Sequence, residues 1–113
     1  MMRFVSRFSL LTVLAVLALA PLARAESPVY NLDIKDHTFT PETLTVPANT
    51  PWILVIKNHD KTPEEFESQD LNREKIIPGG GVVRISMGAL KPGTYPFVGE
   101  FNEDKAKGQI VAQ

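Results

Sequence analysis

Five acidic side chains surround one phenylalanine in residues 62–75, which read TPEEFESQDLNREK. Successive side chains of an extended segment point to opposite faces. If Phe66 points into a core, Glu65 and Glu67 therefore share the other face, about 7 Å apart. Such a carboxylate pair can bind a hard cation once a third oxygen ligand arrives from a neighbouring segment. The alternative interpretation is a solvated charged surface. The five acids are Glu64, Glu65, Glu67, Asp70 and Glu74.

A second acidic group, GEFNED at residues 99–104, follows an apolar run that ends at Val98. In a Greek-key sandwich, the loop between the last two strands often lies beside the loop that precedes a middle strand. This topology predicts that Glu100 approaches Glu65 across one rim of the domain. The predicted metal ligands are Glu65, Glu67 and Glu100, with His59 and Asp104 as further candidates.

The two histidines of the chain both lie in predicted loops, His37 in KDHTFTP and His59 in KNHDK. A lone loop histidine is more often a solvated turn residue than a ligand, and both interpretations stay open for this pair. Ser68 and Ser86 have no histidine at a convincing spacing and no nucleophile elbow. The sequence therefore contains no recognisable hydrolase motif.

The first 25 residues have the three-part pattern of a cleavable secretory signal. Arg3 and Arg7 give a basic start, residues 10–20 are apolar, and Ala23 and Ala25 supply small residues before a cleavage site. The alternative, a retained membrane anchor, needs about 20 apolar residues, more than this run offers. We predict cleavage after Ala25, a periplasmic location and no stable membrane insertion afterwards.

The remaining residues, 26–113, are enough for one domain. The leader takes three of the twelve basic residues with it, so nine remain against thirteen acids, a net charge of −4. This balance argues against nucleic acids and anionic membranes as partners. There is no cysteine, which excludes thiolate catalysis and the sulfur ligand of a blue-copper centre.

Prolines and glycines divide residues 26–113 into short apolar runs, a pattern typical of an all-β domain. We predict a Greek-key β-sandwich or small barrel, with one short helix at 68–74 and Pro96 at a sheet edge or bulge. The predicted strands are 29–34, 43–46, 52–57, 82–86, 94–98 and 109–112. The predicted core is built around Phe39, Trp52, Phe66, Tyr95 and Phe97.

Four blocks of the chain carry a family resemblance: FTPETLTVPANTPWILVIKNHDKTPEEFES, LNREKIIPGGG, LKPGTYPFVGEF and KGQIVA. Over about residues 29–112, the chain resembles the EfeO-type cupredoxin-like domains of bacterial periplasmic iron uptake. The resemblance implies a Greek-key β-sandwich, a periplasmic location and a role in iron import beside a membrane permease. The family's acidic positions match Glu65, Glu67, Glu74 and Glu100.

The resemblance does not carry over a type 1 blue-copper site. Ordinary cupredoxins have a histidine where this chain has Glu64 and Glu65, and a cysteine near Gly99. Their late methionine falls near Lys107, and similar domains often read GEFH where this chain has Asn102. What the resemblance implies is therefore an oxygen-dominated site for iron or copper.

Three functional hypotheses follow. The leading one is an accessory protein of iron transport that binds iron or copper through carboxylates and serves an iron permease complex. The second is a metal-free docking module for a periplasmic complex. The third is a ferroxidase component, which would need a partner or a second metal because reducing dioxygen to water takes four electrons.

Overall fold

The computed structural model describes residues 2–3, 12–16 and 26–113. The predicted leader lies mostly outside the described residues, as does its cleavage site, so the signal peptide stays a prediction. Within the described ranges, no helix is both long and apolar enough to cross a membrane.

In residues 26–113, nine strands form two sheets that face each other as a sandwich. One sheet has the order β2-β1-β4-β7 and the other the order β3-β9-β8-β5-β6. The predicted all-β Greek-key sandwich is confirmed. The strands are β1 Val29–Lys35, β2 Thr38–Thr40, β3 Thr43–Val46, β4 Trp52–Asn58, β5 Glu64–Ser68, β6 Arg73–Ile77, β7 Val82–Met87, β8 Gly93–Gly99 and β9 Lys107–Ala112, with a 3₁₀ turn at Glu100–Asn102.

The core lies between the two sheets and contains four of the five predicted aromatics as buried side chains. Phe39 packs edge-on against Phe97 with ring centroids 4.9 Å apart, and Phe66 lies 5.0 Å from Phe97. Trp52 is buried under the edge of Tyr30. Tyr95 is only partly buried and packs against the outside of this cluster.

The helix predicted at 68–74 is wrong. Ser68 ends β5 and Arg73 begins β6, and the two pair across an antiparallel hairpin. The Ser68 hydroxyl accepts a hydrogen bond from the Leu71 N–H and donates one to the Pro96 carbonyl, and Asn72 takes a positive φ of 52°. These local bonds compete with helix formation, as short hydroxyl side chains often do.

The prediction for Pro96, a sheet edge or a bulge, is wrong for the strand as a whole, because β8 lies between β9 and β5, but an edge-like position is found locally at Pro96. Pairing between β8 and β5 involves Val98 and Gly99. At Pro96 the strand therefore pairs with β9 alone, opposite Gln109, and the missing N–H is tolerated there.

Candidate metal centre

Three glutamates from three different elements meet at one rim of the five-stranded sheet. Glu65 lies on β5, Glu74 on the adjacent edge strand β6, and Glu100 at the start of the 3₁₀ turn that follows β8. One carboxylate oxygen from each lies within 4.8 Å of the other two. We refer to these three residues as the carboxylate centre.

The register of the strands explains why these side chains meet. Phe66 pairs with Gly99, so the residues just before and after them, Glu65 and Glu100, are cross-strand neighbours. Glu67 stands opposite Glu74 on β6, which places Glu74 diagonally across from Glu65. Diagonal neighbours on one face of a sheet are within reach of long side chains.

The electrostatics of the centre are those of carboxylates that crowd one another. Partial burial raises the pKa of Glu65, and the hydrogen bond and negative charge of Glu100 raise it further. The pKa of Glu67 is also raised, first by partial burial and then by the charges of Glu100 and Glu74. Two carboxyls that share a hydrogen bond need a proton between them, and a bound cation would remove that need.

The structure brings together two of the three predicted ligands, Glu65 and Glu100. Glu67 lies on the same face but outside the group whose oxygens converge, and Glu74 takes the third place. The family resemblance named Glu74, whereas the spacing argument missed it because it assumed a helix at 68–74. Cation binding by these residues stays a prediction.

The further candidates, His59 and Asp104, are not part of the carboxylate centre. The His59 Nε2 atom lies 2.7 Å from an oxygen of Asp33, and His37 lies beside Asp60. We call Asp33, His37, His59 and Asp60 the turn cluster, because they gather at the turn between β1 and β2. Asp104 is exposed on the segment after the 3₁₀ turn.

Glu64 is a buried carboxylate directly beneath the centre, only 1% exposed. Its Oε1 atom accepts hydrogen bonds from the backbone N–H of Phe101 at 3.0 Å and of Glu65 at 3.1 Å. Its Oε2 atom accepts one from the side-chain amide of Asn102 at 2.6 Å. The bonds link the beginning of β5 to the 3₁₀ turn.

The burial of Glu64 follows from the alternation of β5, which was already visible in the sequence. Glu64, Phe66 and Ser68 are buried, whereas Glu65 and Glu67 are half-buried on the other face. If Phe66 points inward, the same two-residue period turns Glu64 inward as well. A buried carboxylate needs donors, and the second acidic block supplies them.

A type 1 copper centre does not fit this chain. No cysteine is present, and at Gly99, near the cysteine position that the resemblance implies, there is no room for a side chain. A Cβ atom there would lie 2.6 Å from the Ala106 Cβ and 2.7 Å from the Glu64 carboxyl carbon. The Glu64 side chain and its hydrogen bonds occupy this space.

The carboxylate centre is surrounded by acidic and apolar side chains and by Lys75, which lines the same surface depression as Glu65 and Glu74. Among the described residues, no lysine or arginine forms an ion pair with Glu65, Glu74 or Glu100. The two pairs of oppositely charged groups in that part of the chain both belong to the turn cluster. Phe101 is 50% exposed beside Glu100, and Ile76, opposite Glu65 on β6, is 54% exposed. The centre is thus open to solvent on its outer side.

Comparisons with known proteins give a family and a fold. A family model described as a cupredoxin-like domain matches residues 8–112. The uncharacterized protein RP394 of Rickettsia prowazekii (strain Madrid E) is 46% identical over 80 residues, which are 71% of this chain and 64% of that protein. The chain therefore spans less than two thirds of this relative's length.

Two solved structures have a similar fold at low sequence identity. Auracyanin A, described as a "blue" copper protein from Chloroflexus aurantiacus, is 14% identical with a TM-score of 0.63, covering 78% of this chain and all of that one. A purple cupredoxin from Nitrosopumilus maritimus is 17% identical with a TM-score of 0.57, covering 74% of this chain and 98% of that one. At such identities the similarity shows the sandwich fold alone.

Proposed function

Because this chain belongs to the cupredoxin-like domain family, we propose that it is a periplasmic accessory protein of iron transport that binds iron or copper through carboxylates. The observation that carries the proposal is the convergence of Glu65, Glu74 and Glu100 within 4.8 Å. The protein would present the bound ion to a membrane iron permease complex.

The chemistry of the donors supports a hard cation. Three carboxylates offer oxygen ligands only, which suit ferric iron and oxygen-ligated divalent ions better than soft cuprous copper. Glu67 lies on the same face and can neutralise further charge. An open outer side leaves space for water ligands and for the acceptor that removes the ion.

Iron uptake by cells tests this function. Cells that lack the protein should take up radioactive iron more slowly, and the wild-type gene should restore the rate, whereas a Glu65→Gln and Glu100→Gln double variant should not. Glu42→Gln, an exposed acid on the segment before β3, is the matched control and should restore uptake. Normal uptake with the double variant, or recovery of the protein from the cytoplasm alone, would argue against the proposal.

A second candidate function is a metal-free docking module. The exposed Phe101 and Ile76 beside the acids are the observation that favours it, since exposed apolar side chains rimmed by charge are typical of interaction sites. Capture of a periplasmic or permease partner that is lost in Phe101→Ser but unchanged in the Glu65→Gln and Glu100→Gln double variant would favour docking over metal binding.

A further inference from the structure

The position of Glu64 suggests more than a buried hydrogen-bonding group, because its bonds reach both segments that carry the carboxylate centre. The Glu65 N–H belongs to a ligand residue itself, and the Phe101 N–H belongs to the neighbour of Glu100. The Asn102 amide fixes the end of the same 3₁₀ turn. One carboxylate therefore ties β5 to the turn at the point where Glu65 and Glu100 meet.

The packing around Glu64 leaves its carboxyl group little freedom. Its Cδ atom lies against the Gly99 backbone, so close that a Cβ there would come within 2.7 Å. The 3₁₀ turn has no side-chain cap of its own. Its backbone bonds run to Lys105 and Ala106, whereas the bonds from Phe101 and Asn102 to Glu64 connect the turn, and Glu100 with it, to β5.

We propose that Glu64 is the positioning residue of the carboxylate centre, and that it holds Glu100 against Glu65 without ligating the ion. This inference rests on the proposed cation binding. Removing a group that orients a metal ligand through a hydrogen bond typically lowers the metal affinity 10–100-fold. A merely structural Glu64 would contribute to folding stability and leave the affinity of the folded protein unchanged.

Two substitutions separate these roles. Glu64→Met keeps an unbranched chain of similar length but offers no oxygen, so the Phe101 and Glu65 N–H groups lose their acceptor. Glu64→Gln keeps an oxygen for both N–H groups, and the Asn102 amide can turn to accept from the new NH₂. Ile56→Val, a fully buried change on β4, is the control, because it removes a core methyl group and destabilises the fold away from the centre.

The measurement is the binding of cupric ion to residues 26–113, which contain all the described strands, by calorimetry and by the electron paramagnetic resonance spectrum of the bound ion. We expect Glu64→Met to weaken binding by at least about tenfold and to alter the spectrum. Glu64→Gln and Ile56→Val should bind within a few-fold of wild type. Hydrogen exchange of the Phe101 amide should become faster in Glu64→Met and stay slow in Glu64→Gln.

The outcomes distinguish this inference from the proposed function. If the wild-type protein does not bind the ion, the function fails. If the wild type binds and Glu65→Gln does not, but Glu64→Met binds as tightly as wild type, the positioning role alone is overturned. Should Glu64→Met not fold, Asn102→Ala decides, because it removes one bond to Glu64; a weaker affinity supports the role, and an unchanged affinity contradicts it.

Discussion

The carboxylate centre and the turn cluster both contain acids, but the carboxylates of the two regions have opposite surroundings. In the turn cluster, Asp60 accepts hydrogen bonds from the backbone N–H groups of Asp36 at 2.8 Å and His37 at 3.0 Å. The His37 bond is the main cause that lowers the pKa of Asp60. In the carboxylate centre, Glu65 has Glu100 as its neighbour and its pKa is raised.

The difference separates acids that stabilise the fold from acids that do not. Asp36 and His37 have positive φ angles of 51° and 60°, a strained pair typical of a two-residue hairpin turn, and the Asp60 carboxylate satisfies their N–H groups. Within the described part of the chain, the side chains of Glu65 and Glu100 accept no hydrogen bond from a backbone N–H group. Its arrangement disfavours the charged state, a feature that clusters at functional sites.

The largest expected effect comes from crowding the buried carboxylate that underlies the centre. Gly99→Ala places a Cβ within 2.7 Å of the Glu64 carboxyl carbon and 2.6 Å of the Ala106 Cβ. We expect a loss of about 2–3 kcal/mol in the free energy of unfolding, because overpacking a tight site forces neighbours apart.

Chemical denaturation of the metal-free protein measures this loss. Gly88→Ala is the matched control, since a Cβ there meets nothing within 4 Å, and it should stay within about 0.5 kcal/mol of wild type. Equal stabilities for the two alanine variants would show that Glu64 is not packed against Gly99 as described.

Asp60→Ala tests the structural side of the comparison. Two N–H acceptors are lost, at about 1 kcal/mol each, so we expect the free energy of unfolding to fall by about 1–2 kcal/mol at pH 7. Because the pKa of Asp60 is lowered from 3.8, its contribution is present above that value and is lost as the pH falls through the lowered pKa.

Thermal unfolding at pH 7 and near pH 2.5 measures this loss and its pH dependence. Asp70→Ala is the control, because it removes an exposed acid whose side chain makes no hydrogen bond to another described residue. A destabilisation by Asp60→Ala that is as large at the acidic pH as at pH 7 would contradict the assignment.

Glu65→Gln tests the other side, with the opposite sign. The raised pKa means that the folded protein binds more protons than the unfolded chain in the window just above the ordinary value of 4.5. The contribution of Glu65 to the free energy of unfolding of the metal-free protein therefore falls as the pH rises through that window, and it recovers as the pH is lowered. The neutral amide should give a small stabilisation at pH 7 that disappears in acid.

Melting curves of metal-free Glu65→Gln at pH 7 and pH 4 follow this effect. Glu42→Gln, far from the centre along the sheet, should show no such gain. A lower melting temperature of Glu65→Gln at pH 7 would mean that Glu65 stabilises the fold after all, and the contrast between the two regions would be lost.

The smallest effect is expected at the exposed pair of the turn cluster. His59→Ala breaks the contact between His59 Nε2 and Asp33, which is 2.7 Å long but solvent-accessible at both ends. Exposed ion pairs contribute little, so we expect a change of less than about 0.5 kcal/mol at pH 7 by denaturation. A loss larger than that for Asp60→Ala would reverse the order of importance within the cluster.

The sequence predicted most of the fold because its strands carry clear hydrophobic patterns. The run WILVIK is apolar on both faces and forms the buried strand β4, and Phe66 is inside as its setting between acids suggested. The hairpin at 68–73 was missed, since its turn depends on bonds from Ser68 to Pro96, which is distant in sequence.

The candidate site was predicted in part for a related reason. The predicted topology placed Glu100 near Glu65. The third member of the centre, Glu74, follows only from the pairing of β5 with β6, and Glu67 lies outside the group whose oxygens converge. The role proposed for Glu64 could not be predicted without knowing where the 3₁₀ turn lies. This turn supplies two of the three hydrogen-bond donors to Glu64 and has no clear sequence signature. Local alternation predicts burial, whereas partners from another strand need the assembled sheet.

The most direct test of the central claim is equilibrium binding of ferric iron, supplied as its citrate complex, and of cupric ion to residues 26–113, which contain all the described strands. We expect one ion per chain, bound more tightly than about millimolar, the weak end for extracellular cation modules. Affinity should fall at least about tenfold in Glu65→Gln and in Glu100→Gln and should be unchanged in Asp60→Asn. Binding weaker than millimolar, or the same affinity in all four proteins, would contradict the account.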